Sequence, residues 1–117
     1  MTDRELLELA AKAARIEWKP ADTDAGRKCE LKFGLWLVID GEPSEYQRRR
    51  WNPLTDDGDA LRLAVKLQLA IAIDPDQTWA HHVQVMMGSV EPHGTNPFAA
   101  TRRAIVRAAA EIGRNMK

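Results

Sequence analysis

The C-terminal stretch that begins at Asn96 carries the feature that most constrains the fold. Asn96-Pro97 sets a helix-capping residue directly before a proline, which suits the first position of a helix. Apolar residues then recur on one stripe, at Phe98, Ile105, Ala109, Ile112 and Met116. Arginines lie away from that stripe, at Arg103, Arg107 and Arg114. The pattern predicts an amphipathic helix near residues 97–114 that needs a core to pack on.

Two more helices are indicated by their first turns. Thr2-Asp3-Arg4-Glu5 reads as a capping box and predicts a helix over residues 3–14. Its inward stripe is expected to comprise Leu6, Leu9, Ala10 and Ala13. Acidic residues open another helix over residues 57–67. The inward residues expected there are Ala60, Leu61, Ala64, Val65 and Leu67.

Several stretches between the helices have strand patterns. Residues 28–39 alternate and then become continuously apolar, as in a strand covered on both faces. Residues 46–51 can return as an edge strand, because their arginines suit an exposed edge. Further strands are predicted at residues 16–18, at 69–73, where a buried strand is expected, and at 79–87. The glycine- and proline-containing stretch 88–96 is expected to be the last loop.

The order of these elements predicts one domain spanning residues 1–117. Helices at both ends and between pairs of strands are typical of an α/β fold of the α+β kind. The sheet is expected to be mixed or largely antiparallel, with about four to five strands.

Composition excludes several classes of protein. Basic and acidic residues both number 17, so the net charge is zero and a protein that coats nucleic acid is disfavoured. A lone cysteine, Cys29, excludes an intramolecular disulfide and a multi-cysteine zinc site. The N-terminus lacks the apolar run of a signal peptide, and no stretch is long and apolar enough to span a membrane. We therefore expect a cytoplasmic protein without a membrane partner.

Two short segments resemble a known family. Trp51-Asn52-Pro53 leads into a helix that begins near Asp57, Asp59 and Ala60, and Asn96-Pro97 opens a helix that contains Arg103-Ala104. In these segments and in its order of elements the chain resembles the phage ABA sandwich family, which includes the NinX proteins of lambdoid phages. The resemblance implies a single-domain three-layer α/β/α sandwich, encoded by a phage or prophage and acting in the bacterial cytoplasm. It implies no catalytic residues, because the family has no established activity.

The acidic and histidine residues offer little catalytic chemistry. Asp56, Asp57 and Asp59 could bind a hard cation, but acids in the first turn of a helix more often cap amides and offset the helix dipole. His81 and His82 should point to opposite faces of a strand, and His93 lies in a loop where a solvated side chain is expected. We therefore predict no catalytic residue, no metal site and no cofactor.

Arginines beside aromatic residues form the most suggestive cluster. Arg48, Arg49 and Arg50 lie between Tyr46 and Trp51, and such a set can meet a nucleotide or an acidic protein surface. The alternative is an edge strand that positive charge protects from aggregation. A second basic face is expected on the final helix, from Arg102, Arg103 and Arg107, with a solvated helix surface as its alternative.

Three functional hypotheses follow. The favoured one is a non-enzymatic phage or prophage accessory protein that binds a host or phage macromolecule, most simply a protein, and inhibits a host process such as anti-phage defence. The candidate binding residues are Tyr46, Arg48, Arg49, Arg50, Trp51, Arg103 and Arg107. The first alternative is a module that binds or sequesters a nucleotide or makes a local nucleic-acid contact. The second is a metal-assisted hydrolase. The sequence leaves the oligomeric state open.

Overall fold

The computed structural model describes residues 2–16, 18–20, 35–37, 49–82 and 88–116. Its helices are α1 (Asp3–Ala14), α2 (Asp57–Leu67) and α3 (Pro97–Arg114). Its strands are β1 (Trp18–Pro20), β2 (Leu35–Leu37), β3 (Arg49–Trp51), β4 (Leu69–Ile73), β5 (Gln77–His82) and β6 (Gly88–Pro92). The chain is therefore of the α+β class, and the three predicted helices are confirmed at their expected bounds.

Local capping sets where each helix begins. The side chain of Thr2 accepts a hydrogen bond from the Glu5 amide at 3.1 Å, and that of Asn96 accepts one from the Ala99 amide at 3.1 Å. Pro97 follows Asn96 at the start of α3, as the sequence predicts. The first two helices end at residues in the left-handed conformation, Arg15 and Gln68. Gln68 alone separates α2 from β4, so the chain passes from helix to strand within one residue.

The strands form two sheets. Within the described ranges, β1, β2 and β3 form one three-stranded antiparallel sheet, and β4, β5 and β6 form another. The prediction of one sheet with about four to five strands is therefore not what the described residues show. All the described pairs in both sheets are antiparallel, which agrees with the prediction of a mixed or largely antiparallel sheet.

Several strand predictions need correction. The first strand begins at Trp18 and includes Pro20, which an edge strand tolerates because the missing amide can face away from its neighbour. Residues 88–92, expected in a loop, form β6 and pair with β5. Strand β4, which was expected to be buried, lies at the edge of its sheet as far as the described residues go, and its Ile73 is 66% exposed. The parts of the predicted strands at 28–34, 38–39, 46–48 and 83–87 lie outside the described residues.

Helix α3 lies at the centre of the described core. It packs against α1, α2 and all three strands of the second sheet. Its buried side includes Ala104, Ile105, Val106, Ala108 and Ala109. Small side chains let neighbouring elements approach closely, and at Gly113 the backbone of α3 comes against the backbone of α1 near Leu9.

The inward faces of two helices differ from the prediction. In α2, Ala60, Leu63 and Ala64 are buried, whereas Leu61 and Val65 are 61% and 69% exposed. Phe98, expected on the buried stripe of α3, is 72% exposed. None of the helices in the described part is long and apolar enough to cross a membrane.

Candidate functional site

The Trp51–Asp59 stretch folds around Asn52, which is 2% exposed. The Asn52 carbonyl oxygen accepts hydrogen bonds from the amides of Thr55 at 3.1 Å and Asp56 at 2.9 Å. The Asn52 side-chain oxygen accepts a hydrogen bond from the Leu54 amide at 3.1 Å. The backbone amide of Asn52 donates to Asp59 Oδ2 at 3.1 Å. Asn52 thus shapes the turn before α2, whereas Asn96 caps α3 directly. The two Asn-Pro pairs therefore have different structural roles, one in a turn and one at a helix N-cap.

The three aspartates have separate structural roles. Asp56 is the N-cap of α2, and its Oδ2 accepts from the Asp59 amide at 2.7 Å. Asp59 is 2% exposed, and Arg62 donates to its Oδ1 at 2.9 Å. Asp57 Oδ1 accepts from Arg102 Nη1 at 2.6 Å. The interpretation of these acids as the start of a helix is confirmed.

The arginine segment is described only in part. Arg49 and Arg50 belong to β3, which confirms a strand over residues 49–51, and among the described residues this strand lies at the edge of the first sheet. Tyr46 and Arg48 lie outside the described residues. Trp51 is 3% exposed and belongs to the hydrophobic core. A ring in that position is not presented to a ligand, so the nucleotide hypothesis loses the stacking surface that it assigned to Trp51.

The arginines on the basic face of α3 form ion pairs with acids on other elements. The guanidinium groups of Arg102, Arg103 and Arg107 pair with the carboxylates of Asp57, Asp3 and Glu91, respectively. The Arg102 Nε also donates to the Leu54 carbonyl oxygen at 2.8 Å. These contacts join α3 to α2, α1 and β6. Arg103 and Arg107 stay 40% and 48% exposed, so their predicted part in binding remains a prediction.

His93 is not the solvated loop residue that the sequence suggests. It is buried, and its Nε2 lies 2.8 Å from the hydroxyl of Thr78. The Thr78 hydroxyl also lies 2.9 Å from that of Thr101 on α3. Because Thr78 is fully buried, these bonds join β5, the β6–α3 connection and α3 inside the protein. Pattern-based reasoning missed them, since the partners are distant along the chain.

Replacing Thr78 with valine is expected to lower the free energy of unfolding by about 1–3 kcal/mol. The shape is nearly kept, but His93 and Thr101 lose a buried hydrogen-bond partner. Urea denaturation followed by circular dichroism measures the effect. The Thr55→Val variant is the control, because Thr55 is exposed and its hydroxyl makes a longer bond of 3.4 Å to the Asn52 carbonyl. Equal losses in both variants would contradict the role assigned to Thr78.

An exposed apolar surface lies where α2, β4 and α3 meet. It surrounds a depression of about 360 Å³. The apolar lining, which we call the apolar end, comprises Ala60, Ile73, Pro97 and Phe98. Asp57, Thr101 and Arg102 complete the lining. Ile73 and Phe98 are 66% and 72% exposed, so two large apolar side chains flank the depression.

Sequence reasoning missed the apolar end because it assigned Phe98 to the core. A usable signal was present in α3 itself. Phe98 is the second residue of the helix and lies two turns before Ile105, at the end of the apolar stripe. A side chain at the end of a stripe can extend beyond the core that the rest of the stripe covers. Its neighbour Pro97 is also exposed.

Comparisons with known proteins identify no family for this chain: no family model, no curated protein and no solved structure matches it. The resemblance to the phage ABA sandwich family therefore stays a prediction.

Proposed function

We propose that the protein is a small non-enzymatic binding protein, encoded by a phage or prophage, that captures a host or phage protein through the apolar end. Inhibition of a host process such as anti-phage defence is the consequence that we propose for this capture. The family resemblance supports the phage origin and the three-layer fold, which are both part of the proposal. The observation that carries the binding role is the exposure of Ile73 and Phe98 around the depression.

The size and lining of the depression support an apolar insert. Its volume of about 360 Å³ lies near the lower end of the ~300–1,000 Å³ typical of ligand pockets. Large exposed apolar side chains with a polar surround are typical of interaction sites. Aromatic anchors at such sites contribute strongly to the affinity for a partner protein.

The charges at the apolar end favour a protein side chain over a phosphorylated ligand. The charged residues in its lining, Asp57 and Arg102, are paired with each other at 2.6 Å. Arg102 is also held by the Leu54 carbonyl, and its side chain is 17% exposed. Because this guanidinium already has acceptors, it is poorly placed to bind a phosphate. We infer that the partner inserts an uncharged apolar side chain between Ile73 and Phe98.

The Phe98→Ser variant is expected to lose partner capture while its melting temperature stays nearly unchanged. Removing a central aromatic anchor commonly weakens binding by about 2 kcal/mol or more, or roughly 30-fold. The measurement is affinity capture from bacterial lysate with quantitative mass spectrometry, comparing proteins retained by the unmodified protein and by the variant. Stability should change little because Phe98 is 72% exposed.

Two further variants make this capture experiment decisive. Leu61→Ser removes an apolar side chain of similar exposure that is outside the lining of the depression, and it should retain the partner. Joint replacement of Arg48, Arg49 and Arg50 with serine tests the arginine cluster separately. Loss of capture only in the arginine variant would assign binding to that cluster and overturn the role of the apolar end.

A further inference from the structure

Among the described residues, strand β4 pairs with a neighbour along one edge and leaves its other edge open. In the second sheet the strand order is β4-β5-β6, so within the described part of the chain β4 has a neighbour on one side only. Its sequence, LAIAI over Leu69–Ile73, contains no charge and no proline. Natural sheets usually protect an exposed edge with charged residues or proline, because the unpaired amides and carbonyls of an edge readily pair with another strand.

The hairpin after β4 determines which of its backbone groups face outward. The Asp74 amide donates to the Gln77 carbonyl at 2.8 Å, so this pair is hydrogen-bonded across the hairpin. Bonded and non-bonded pairs alternate along an antiparallel ladder. In the observed register Ala70 and Ala72 therefore bond to β5, while the amides and carbonyls of Leu69, Ile71 and Ile73 point away from it.

We propose that β4 pairs antiparallel with β4 of a second copy of this chain. A two-fold axis at Ile71 sets Ile71 opposite itself and Leu69 opposite Ile73 of the second copy. Every residue with outward-facing backbone groups then enters a hydrogen-bonded pair, which exchanges about two bonds. In this geometry the β4-β5-β6 sheets of the two copies become one continuous sheet, and both copies use the same surface.

Charge complementarity supports a second copy as the occupant of the edge. Lys66 lies in the last turn of α2, three residues before β4 begins, whereas Asp74 and Asp76 follow the strand. Antiparallel self-pairing brings the end of α2 in one copy, with Lys66, near the acidic residues that follow β4 in the other copy. Lys66 and Asp76 are both exposed, so each can reach across the axis.

Apolar side chains near the edge support the same pairing. Ile73, at the end of β4, is 66% exposed and would lie beside Leu69 of the second copy. Leu61 and Val65 lie one turn apart on the exposed side of α2, the helix that leads into β4. Self-pairing offers a cover for these side chains. Ile73 also lines the apolar end, so the dimer and the proposed partner capture share this one residue. Substitutions at Ile71 test the dimer and substitutions at Phe98 test the capture, so the two proposals can fail separately.

Sedimentation equilibrium of the full chain at high micromolar concentration tests the dimer directly. The expected mass is that of two chains. The Val65→Lys variant should dissociate more readily, since it removes an apolar side chain that self-pairing would cover. Its folding can be checked independently by circular dichroism. A monomeric mass for the unmodified protein overturns the proposal. That result would also be obtained if the edge of β4 serves to pair with an extended segment of another protein.

A disulfide test checks the register. In a Cys29→Ser background, the Ile71→Cys variant should form a disulfide-linked dimer with oxidised glutathione, because directly opposed bonded residues have Cα atoms about 5.5 Å apart. The Ala72→Cys variant is the matched control. In the proposed register its two thiols belong to residues with Cα atoms about 8 Å apart, beyond the usual disulfide range. Linkage at least about tenfold faster at Ile71→Cys supports the register, whereas equal rates overturn it.

Discussion

The Gly113→Ala variant is expected to have a free energy of unfolding about 3 kcal/mol below that of the unmodified protein. An added Cβ at this position would lie 2.0 Å from the carbonyl oxygen of Leu9 and 2.9 Å from its carbonyl carbon. Both atoms belong to the backbone of α1, so a side-chain rotation cannot relieve the clash. The helices would have to separate, which disturbs the packing of α1 on α3.

Gly58→Ala is the matched control for this prediction. A Cβ at Gly58 would meet chiefly the guanidinium of Arg62, at 3.0 Å, and this flexible side chain is 59% exposed. Alanine favours a helix over glycine by about 1 kcal/mol, so this variant should be neutral or slightly more stable. Urea denaturation of both variants, followed by circular dichroism, measures the difference. A neutral Gly113→Ala variant would contradict the close approach of α1 and α3.

The Asp59→Ala variant is expected to lower the free energy of unfolding by about 3 kcal/mol. The carboxylate of Asp59 is buried and accepts from the amide of Asn52, which is itself buried. Alanine leaves that amide without its acceptor. The bond to Arg62 adds less, because the Arg62 side chain is 59% exposed and solvent screens the pair. The main loss therefore comes from the turn before α2.

Asp57→Ala provides the comparison for Asp59. The Asp57 side chain is 72% exposed, and Arg102, whose side chain is 17% exposed, keeps the Leu54 carbonyl as a second acceptor when Asp57 is removed. Exposed ion pairs contribute about 0–1 kcal/mol, so this variant should unfold close to the unmodified protein. Thermal denaturation of the Asp59→Ala and Asp57→Ala variants at low salt compares how much each carboxylate contributes to stability. Similar losses would show that the buried bond between Asp59 and Asn52 is not the source of the effect.

The helix bounds could be predicted because their signals are local. Thr2 and Asn96 cap helices within three residues of the amides that they bind, and Asp56 does the same for α2. A hydrogen bond over such a short separation depends little on the rest of the fold. The edge position of Arg49–Trp51 was also readable, since charged residues suit a strand edge.

Features that depend on distant contacts could not be predicted. Residues 88–92 have the composition of a loop, and pairing with β5 makes them a strand. The burial of His93 follows from its bond to Thr78, a residue fifteen positions earlier. The exposure of Leu61 and Val65 is set by where α3 lies against α2. Apolar residues on α2 occupy more of its circumference than its neighbours α1, α3 and β4 cover.

The candidate site was predicted only in part for the same reason. Arginines and aromatic residues close together in sequence suggested one binding cluster, but Trp51 packs inside. On α3, Arg102 and Arg103 pair with acids that lie far away in the chain. The apolar end combines three elements, so no continuous stretch of sequence displays it.

The central claim is that the apolar end binds a protein partner through Phe98. The most direct test is isothermal titration calorimetry of the captured and purified partner against the unmodified protein and the Phe98→Ser variant. We expect the variant to bind at least roughly 30-fold more weakly with an unchanged melting temperature. An unchanged dissociation constant would contradict the claim.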